Sequence, residues 1–218
     1  MIKAILFDMD GTVLDTEPMY KRAWKSAFEK TGHEFFEDLF DKCVGLSVPR
    51  IKKLINETYG EDDLFDRAFP LAAAWAHNYK KLNGVPVKEG FFKLDAFLKE
   101  KGIVSVIATS TSHDAAVEDL THSKILDRFI GIIGGDDVEN SKPAPDPYIK
   151  AAALAGFPPE ECLAVEDSSN GIRSAVAAGV RCIYIKDFVD VLPEIEQIVY
   201  RKVGNLSAII DILQEGGE

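Results

Sequence analysis

The segment ILFDMDGT, residues 5–12, is an apolar run that ends in two carboxylates and a glycine. Asp8 and Asp10 are two positions apart, so in an extended chain both side chains leave on the same side. Two carboxylates held so close repel each other, which raises one pKa or demands a cation. Gly11 lets the chain turn sharply and present backbone N–H groups to an anion such as phosphate. The segment therefore predicts a site that handles phosphate with the help of a cation.

Polar side chains also follow later apolar segments. These candidate site residues are Thr109 and Ser110 after Val104–Ala108, Glu166 and Asp167 after Leu163–Val165, and Lys142 in the loop SKPAPDP. In an open α/β sheet the reactive crevice lies beyond the carboxyl ends of the strands, so these groups are expected to converge. Mg²⁺ is the cation that fits such an acidic cluster, because it prefers oxygen ligands and commonly bridges to a substrate phosphate.

The elements that must position these residues show the alternation of strands and helices that is typical of an α/β fold. Short apolar runs without alternation are typical of strands that are covered on both faces, as in a parallel sheet. They occur at Ala4–Phe7, Val104–Ala108, Phe129–Ile133, Leu163–Val165 and Cys182–Ile185. Helical patterns separate the later runs and end at glycine, which predicts an open parallel sheet of the Rossmann-like type.

A series of predicted helices interrupts this alternation after the first strand. Helical patterns cover the chain from Glu17 to about Lys81, and no strand candidate of comparable strength occurs there. We predict a core domain of residues 1–14 and 85–218, with a helical cap domain of residues 15–84 inserted into it. Residues 15–84 carry 11 Lys/Arg and 12 Asp/Glu, whereas the remainder carries 14 and 24, so the acidic excess belongs to the sheet domain.

The overall composition excludes several classes of protein. A formal net charge of −11 argues against a nucleic-acid binder, because such proteins use clusters of Lys and Arg to displace counterions. Cys43, Cys162 and Cys182 have no C-x-x-C spacing, so neither a disulfide framework nor a zinc site is expected. No window approaches the roughly 20 apolar residues that span a bilayer, and the start MIKAILFD has no apolar stretch long enough for a signal peptide, so we expect neither. We expect a cytoplasmic protein with no membrane partner.

Four ordered motifs resemble those of the haloacid dehalogenase superfamily. They are DMDGT with Asp8 and Asp10, IATS with Thr109, SKPAPD with Lys142, and VEDS with Glu166 and Asp167. The helical insert after the first motif is similar to the cap domain of that family. The resemblance is strongest to the branch that includes β-phosphoglucomutase and many sugar-phosphate phosphatases, and it spans nearly the whole chain.

The resemblance implies a role for each motif. Asp8 would attack phosphorus and become an aspartyl phosphate, and Asp10 would act as general acid and then as general base. Thr109, with Ser110 and Gly11, would bind the phosphoryl group, and Lys142 would neutralise the nucleophile and the phosphoryl group. Asp167, with Asp8 and the backbone carbonyl of Asp10, would hold Mg²⁺, and Glu166 beside Asp167 would either bind the metal directly or orient its ligands.

These roles predict a magnesium-dependent phosphatase that acts on a small phosphorylated metabolite. The alternative within the family is a sugar-phosphate mutase, which needs cations in the cap to hold a second phosphate. Mutases that resemble this chain carry histidine where Tyr20 stands and arginine where Val48 stands. Arg50, two positions later, is the cap cation expected to reach the substrate.

A different class of function is a signalling module that only carries a phosphoryl group on Asp8. Such a module has a similar sheet, but it must avoid prompt hydrolysis and has no use for an acid two residues after the acceptor. Asp10 and the long helical insert both argue against this interpretation.

Overall fold

The computed structural model describes residues 1–44, 46, 48–187 and 190–215. They form two compact units, one of Met1–Asp15 with Val85–Glu218 and the other of Thr16–Gly84. Among the described helices, none combines the length and apolarity needed to cross a bilayer.

The first unit is built on a six-stranded parallel sheet with the strand order β3-β2-β1-β4-β5-β6. The strands are β1 (Ala4–Phe7), β2 (Val104–Ala108), β3 (Gly131–Ile133), β4 (Cys162–Glu166), β5 (Arg181–Ile185) and β6 (Arg201–Val203). This sheet confirms the predicted α/β class. The sequence patterns missed β6, because only one of its three residues is buried and the segment carries no apolar run.

Helices cover both faces of this sheet. Those of the first unit are α5 (Phe91–Lys101), α6 (His113–His122), α7 (Asp146–Ala155), α8 (Ser169–Ala177), α9 (Pro193–Glu196) and α10 (Ile209–Glu215). On one face, Tyr148 of α7 and Ile172 of α8 pack against Leu6 and Ala164. On the other face, the ring of Phe7 meets the ring of Phe91 edge-on, with 6.3 Å between their centroids. Burial on both faces explains why the central strands read as continuous apolar runs.

Among its described residues, the second unit has four helices. They are α1 (Glu17–Thr31), α2 (Glu37–Cys43), α3 (Val48–Tyr59) and α4 (Leu64–Asn83). Phe28 of α1 and Phe65 of α4 are buried in its core. Trp24 packs between them, with ring centroids 5.8 Å from Phe28 and 5.9 Å from Phe65. The aromatic stripe predicted along the first helix therefore serves as the core of this unit.

Candidate active site

The nucleophile candidate, Asp8, directly follows the central strand β1. Its backbone N–H donates to the carbonyl of Val165 in the neighbouring β4 at 3.0 Å, which fixes the end of β1 against β4. The next residues of β4 and its loop are Glu166 and Asp167. Parallel register therefore brings the three acids together, and one carboxylate oxygen from each lies within 4.8 Å of the others.

Lys142 is the cation of this acidic cluster. Its Nζ donates to Asp8 Oδ1 and to Glu166 Oε1, each at 2.6 Å, and only 4% of its side chain is exposed. Burial lowers the pKa of Lys142, but the charges of Asp8 and Glu166 outweigh burial and raise that pKa. Lys142 is therefore a fixed positive charge, held against the oxygen atoms that surround the predicted reaction centre.

Glu166 is wholly buried, and its oxygens are fully engaged by protein donors. Oε1 accepts from Lys142 and from the hydroxyl of Tyr148 at 2.8 Å, and Oε2 accepts from the hydroxyl of Ser168 at 3.1 Å. Gly171, in the first turn of α8, leaves the space that this carboxylate fills, because a Cβ there would lie 1.8 Å from Oε1. Glu166 thus orients Lys142 as well as contributing charge to the cluster.

Asp167 lies beside the turn of the first motif. Its Oδ1 accepts from the hydroxyl of Thr12 at 3.2 Å, and its Oδ2 faces Gly11. Gly11 has φ +79°, which non-glycine residues rarely adopt, and a Cβ there would lie 2.4 Å from Asp167 Oδ2. The glycine is therefore required twice, once for the turn and once for the close approach of the carboxylate.

Burial and mutual repulsion raise the pKa values of two of these acids. Burial raises the pKa of Asp8 to about 7; the charge of Lys142 opposes this rise, and Glu166 and Asp10 add to it. Burial, together with Asp8, Glu166 and Asp187, raises the pKa of Asp167 well above its usual value. A bound divalent cation relieves this repulsion, and the all-oxygen donors suit the hard cation Mg²⁺. The residues present therefore fit a magnesium site.

The second motif supplies hydroxyl groups on the other side of Asp8. Thr109 directly follows β2, and its hydroxyl oxygen accepts from the backbone N–H of Thr111 at 3.1 Å. This bond uses an oxygen lone pair and leaves the hydroxyl hydrogen of Thr109 available to donate. The hydroxyl of Thr111 donates to Asp10 Oδ2 at 2.8 Å, which fixes the direction of that carboxylate.

The structure thus brings most of the sequence candidates together in the first unit. Asp8, Lys142, Glu166 and Asp167 form the cluster. Thr111 links Asp10 to Thr109, which directly follows the neighbouring strand β2. Ser110 is exposed in the same loop. Arg50 is an exposed residue of α3 in the second unit, so its predicted contact with substrate stays a prediction.

Sequence reasoning missed several residues that hold this site. Thr12 and Ser168 lie inside the recognised motifs and could have been selected as hydroxyl donors to the neighbouring acids. Thr111 and Tyr148 carry no such signal, because their roles depend on loops and helices that meet only in the folded chain.

Comparisons with known proteins agree with this sheet. Residues 5–185 match the family model of haloacid dehalogenase-like hydrolases. A phosphorylated carbohydrates phosphatase of Thermotoga maritima is 30% identical over 185 residues, which cover 84% of each chain. The crystal structure of a candidate β-phosphoglucomutase of T. maritima is 25% identical with a TM-score of 0.83, and covers 98% of this chain and 99% of its own. A mutant of CbbY from Rhodobacter sphaeroides, solved with xylulose-(1,5)-bisphosphate, is 26% identical with a TM-score of 0.72, over 95% and 96% of the two chains.

The first prediction concerns the space at Gly171. Gly171→Ala should lower the free energy of unfolding by about 3 kcal/mol, because the added methyl group must displace buried Glu166 from its partners. Gly204→Ala is the matched control, since a Cβ at Gly204 has no heavy atom within 4 Å, and it should change stability by less than about 0.5 kcal/mol. Chemical denaturation measures both values. Equal effects of the two substitutions would contradict the packing described here.

The raised pKa of Asp8 predicts how the stability of the protein changes with pH. Between about pH 4 and pH 7, folded Asp8 keeps a proton that the unfolded chain releases, because its pKa is raised from 3.8 to about 7. In chelator, this group therefore makes the protein less stable as pH rises through that window. The raised pKa of Lys142 also stabilises the protein, and this contribution is fully present at every pH below about 10.5. It therefore does not make stability vary between pH 4 and pH 7.

Denaturation at pH 5 and pH 7.5, with chelator or with Mg²⁺, tests this expectation. Mg²⁺ should stabilise the wild type more at pH 7.5 than at pH 5, and Asp8→Asn should reduce this difference. A wild type and an Asp8→Asn variant with identical pH dependence in chelator would show that Asp8 titrates normally.

Proposed function

The chain belongs to the haloacid dehalogenase-like hydrolase family, and from this premise we propose that it is a magnesium-dependent phosphatase. Its substrate would be a small phosphorylated metabolite of the sugar-phosphate class. The reaction would pass through a phosphoryl group carried on Asp8.

The contact between Lys142 and Asp8 is the observation that best supports this proposal. The carboxylate of Asp8 follows the central strand, and the ammonium group of Lys142 binds one of its oxygens at 2.6 Å. Lys142 holds Oδ1, so Oδ2 is the oxygen assigned to attack. A carboxylate that is fixed in this way, beside a set of acids suited to a divalent cation, is the arrangement that covalent phosphoryl transfer requires.

In the first step, Asp8 Oδ2 forms a bond to phosphorus as the bond between phosphorus and the ester oxygen breaks. Asp10 gives its proton to the departing ester oxygen, which leaves as an alcohol. Thr109, whose hydroxyl hydrogen is available, donates to a phosphoryl oxygen, and Lys142 offsets the charge shared by Asp8 and the phosphoryl group.

In the second step, a water oxygen attacks the phosphorus of the aspartyl phosphate. Asp10, now ionised, accepts the proton of this water, and the bond between phosphorus and Asp8 breaks. Free phosphate and the Asp8 carboxylate are the products. Thr111 holds Asp10 Oδ2 at 2.8 Å, and this bond orients the acid for both proton transfers.

The residues assigned to the cation are Asp8, Asp167 and the backbone carbonyl of Asp10, with Glu166 beside them. When bound, Mg²⁺ supplies positive charge that offsets the transferring phosphoryl group. Asp8 must be ionised to attack, and burial raises its pKa to about 7, so the nucleophile itself benefits from a nearby cation.

The substrate class rests on the relatives. The T. maritima relative is named for its action on phosphorylated carbohydrates, and the R. sphaeroides relative was solved with a sugar bisphosphate. The strong negative charge of the chain agrees with a small metabolite rather than a nucleic acid as the partner.

A β-phosphoglucomutase-type mutase is the second candidate, because the T. maritima structure with a TM-score of 0.83 is described as one. Tyr20 and Val48 stand where the mutases that resemble this chain have histidine and arginine. The second unit does hold a cation beside the first position, since Lys80 Nζ lies 5.6 Å from the ring centroid of Tyr20. A phospho-acceptor signalling module is disfavoured by Asp10, whose carboxylate is held by Thr111.

Phosphate release from a panel of sugar, nucleotide and short organic phosphates tests the proposed function. With Mg²⁺, the wild type should release phosphate from sugar monophosphates. Asp8→Asn should release none above background while keeping its circular dichroism spectrum, because it loses the nucleophile and keeps its shape. Full wild-type activity in excess chelator would contradict the role of the metal.

A coupled assay separates the phosphatase from the mutase. β-Glucose 1-phosphate is supplied with a bisphosphate primer, and glucose 6-phosphate is measured beside free phosphate. We expect phosphate release to dominate. Isomerisation that outruns release by more than about tenfold, or ~1.4 kcal/mol in competing barriers, would establish the mutase instead.

The loss of activity caused by Asp10→Asn should depend on the leaving group of the substrate. Alkyl phosphates need the proton from Asp10, whereas an aryl oxygen leaves readily without one, so the loss of kcat should be at least about tenfold larger on an alkyl phosphate. Steady-state kinetics on one substrate of each type measure the ratio. Equal losses on both would remove Asp10 from the role of general acid.

A further inference from the structure

Asp187 is an acid that none of the four motifs contains. It follows β5 by two residues, and only 10% of its side chain is exposed. A Cβ built on Gly11 would lie 2.7 Å from Asp187 Oδ2 and 2.4 Å from Asp167 Oδ2. The two carboxylates therefore share the space that Gly11 leaves open, and the charge of Asp187 acts directly on Asp167.

Lys88 holds Asp187 in this position. Its Nζ donates to Asp187 Oδ1 and forms a second ion pair with Asp15 Oδ1 at 3.0 Å. Burial lowers the pKa of Lys88, but its bonds to the two carboxylates outweigh burial and raise that pKa. Lys88 therefore stays charged and occupies Oδ1 of Asp187, while Oδ2 faces Gly11 and Asp167.

The backbone around Lys88 is itself fixed. The N–H of Lys88 donates to the carbonyl of Val13 at 2.9 Å, and the N–H of Asp15 donates to the carbonyl of Pro86 at 2.8 Å. These bonds pair the segment that enters the second unit with the segment that returns from it. Asp187 is thus anchored by a lysine whose main chain is tied to the loop of the first motif.

We propose that Asp187 is a positioning residue of the metal site, acting on the cation through Asp167 and through water bound to the metal. Asp187 lies outside the set of acids close enough to ligate together, which is Asp8, Glu166 and Asp167. Mg²⁺ usually keeps several of its waters, and acids beyond the direct ligands orient those waters and the ligands themselves. The inference rests on the proposed function, because it assumes that the cluster binds Mg²⁺.

Calorimetric titration of Mg²⁺ into the chelator-treated protein tests the role of Asp187. Asp187→Asn should weaken Mg²⁺ binding by about tenfold or more, as is usual for the loss of such a partner. In steady-state kinetics the Mg²⁺ concentration for half-maximal activity should rise by a similar factor, whereas kcat at saturating Mg²⁺ should change less. Lys88 keeps its ion pair with Asp15 in this variant, so no buried charge is left alone.

Two control variants match the charge that is removed. Asp190→Asn removes an exposed acid of the same loop, which pairs with Lys186 at 2.8 Å. Asp15→Asn removes the other partner of Lys88 and leaves Asp187 in place. Both should bind Mg²⁺ within about twofold of the wild type, because the atoms nearest to a Cβ on Gly11 belong to Asp167 and Asp187 and to neither of these two acids.

Four results would overturn the inference. Asp187→Asn could bind Mg²⁺ like the wild type, or all three variants could weaken binding equally, which would reduce the effect to net charge. Asp187→Asn could also lower the unfolding midpoint with unchanged Mg²⁺ affinity, which would make the residue merely structural. A wild type that binds no Mg²⁺ at all would overturn the metal in the proposed function, and this inference with it.

Discussion

The buried ammonium group of Lys142, between Asp8 and Glu166, is the interaction on which the site depends. The carboxylates of Asp8, Glu166 and Asp167 lie at the ends of adjacent strands, where burial removes water from around them. Without the lysine, several buried negative charges would face one another, which costs several kcal/mol per ion. Lys142 removes part of that cost and at the same time orients the nucleophile. The hydrogen bonds of Tyr148 and Ser168 to Glu166 then hold the geometry of the pair.

Much of this could be predicted from sequence, because parallel strands turn a linear pattern into a spatial one. The apolar runs at Ala4–Phe7 and Leu163–Val165 predicted buried strands of one parallel sheet, and residues that follow such strands meet at one edge. The structure shows that these two strands are neighbours. The family and the α/β fold are confirmed by the match over residues 5–185 and by the sheet itself. The roles of Asp8, Asp10, Thr109 and Lys142 stay predictions until the variants are measured.

The parts that sequence could not supply share a physical cause. Strand β6 is short and mostly exposed, so no apolar pattern in the sequence predicts it. It is recognised only by its pairing with β5 at the edge of the sheet. Thr111 and Asp187 act through partners that lie far away in sequence, and neither residue type is unusual in a loop. Gly171 would look like an ordinary small residue of a helix, yet its missing side chain is what admits Glu166. Such dependence on a distant atom leaves no local signal.

The balance of charge around Asp8 bears on how this site could accept a phosphate. Asp8, Glu166, Asp167 and Asp187 face two lysines, Lys142 and Lys88, so the acids of this region exceed its basic side chains. The chain as a whole carries −11, and a phosphate monoester brings further negative charge. This excess of negative charge opposes the binding of a phosphate. A divalent cation held by these acids would offset it at short range, as the proposed function requires. Such a cation would also counter the rise in the pKa of Asp8, so the same positive charge would favour both the ionised nucleophile and the phosphoryl group that it attacks.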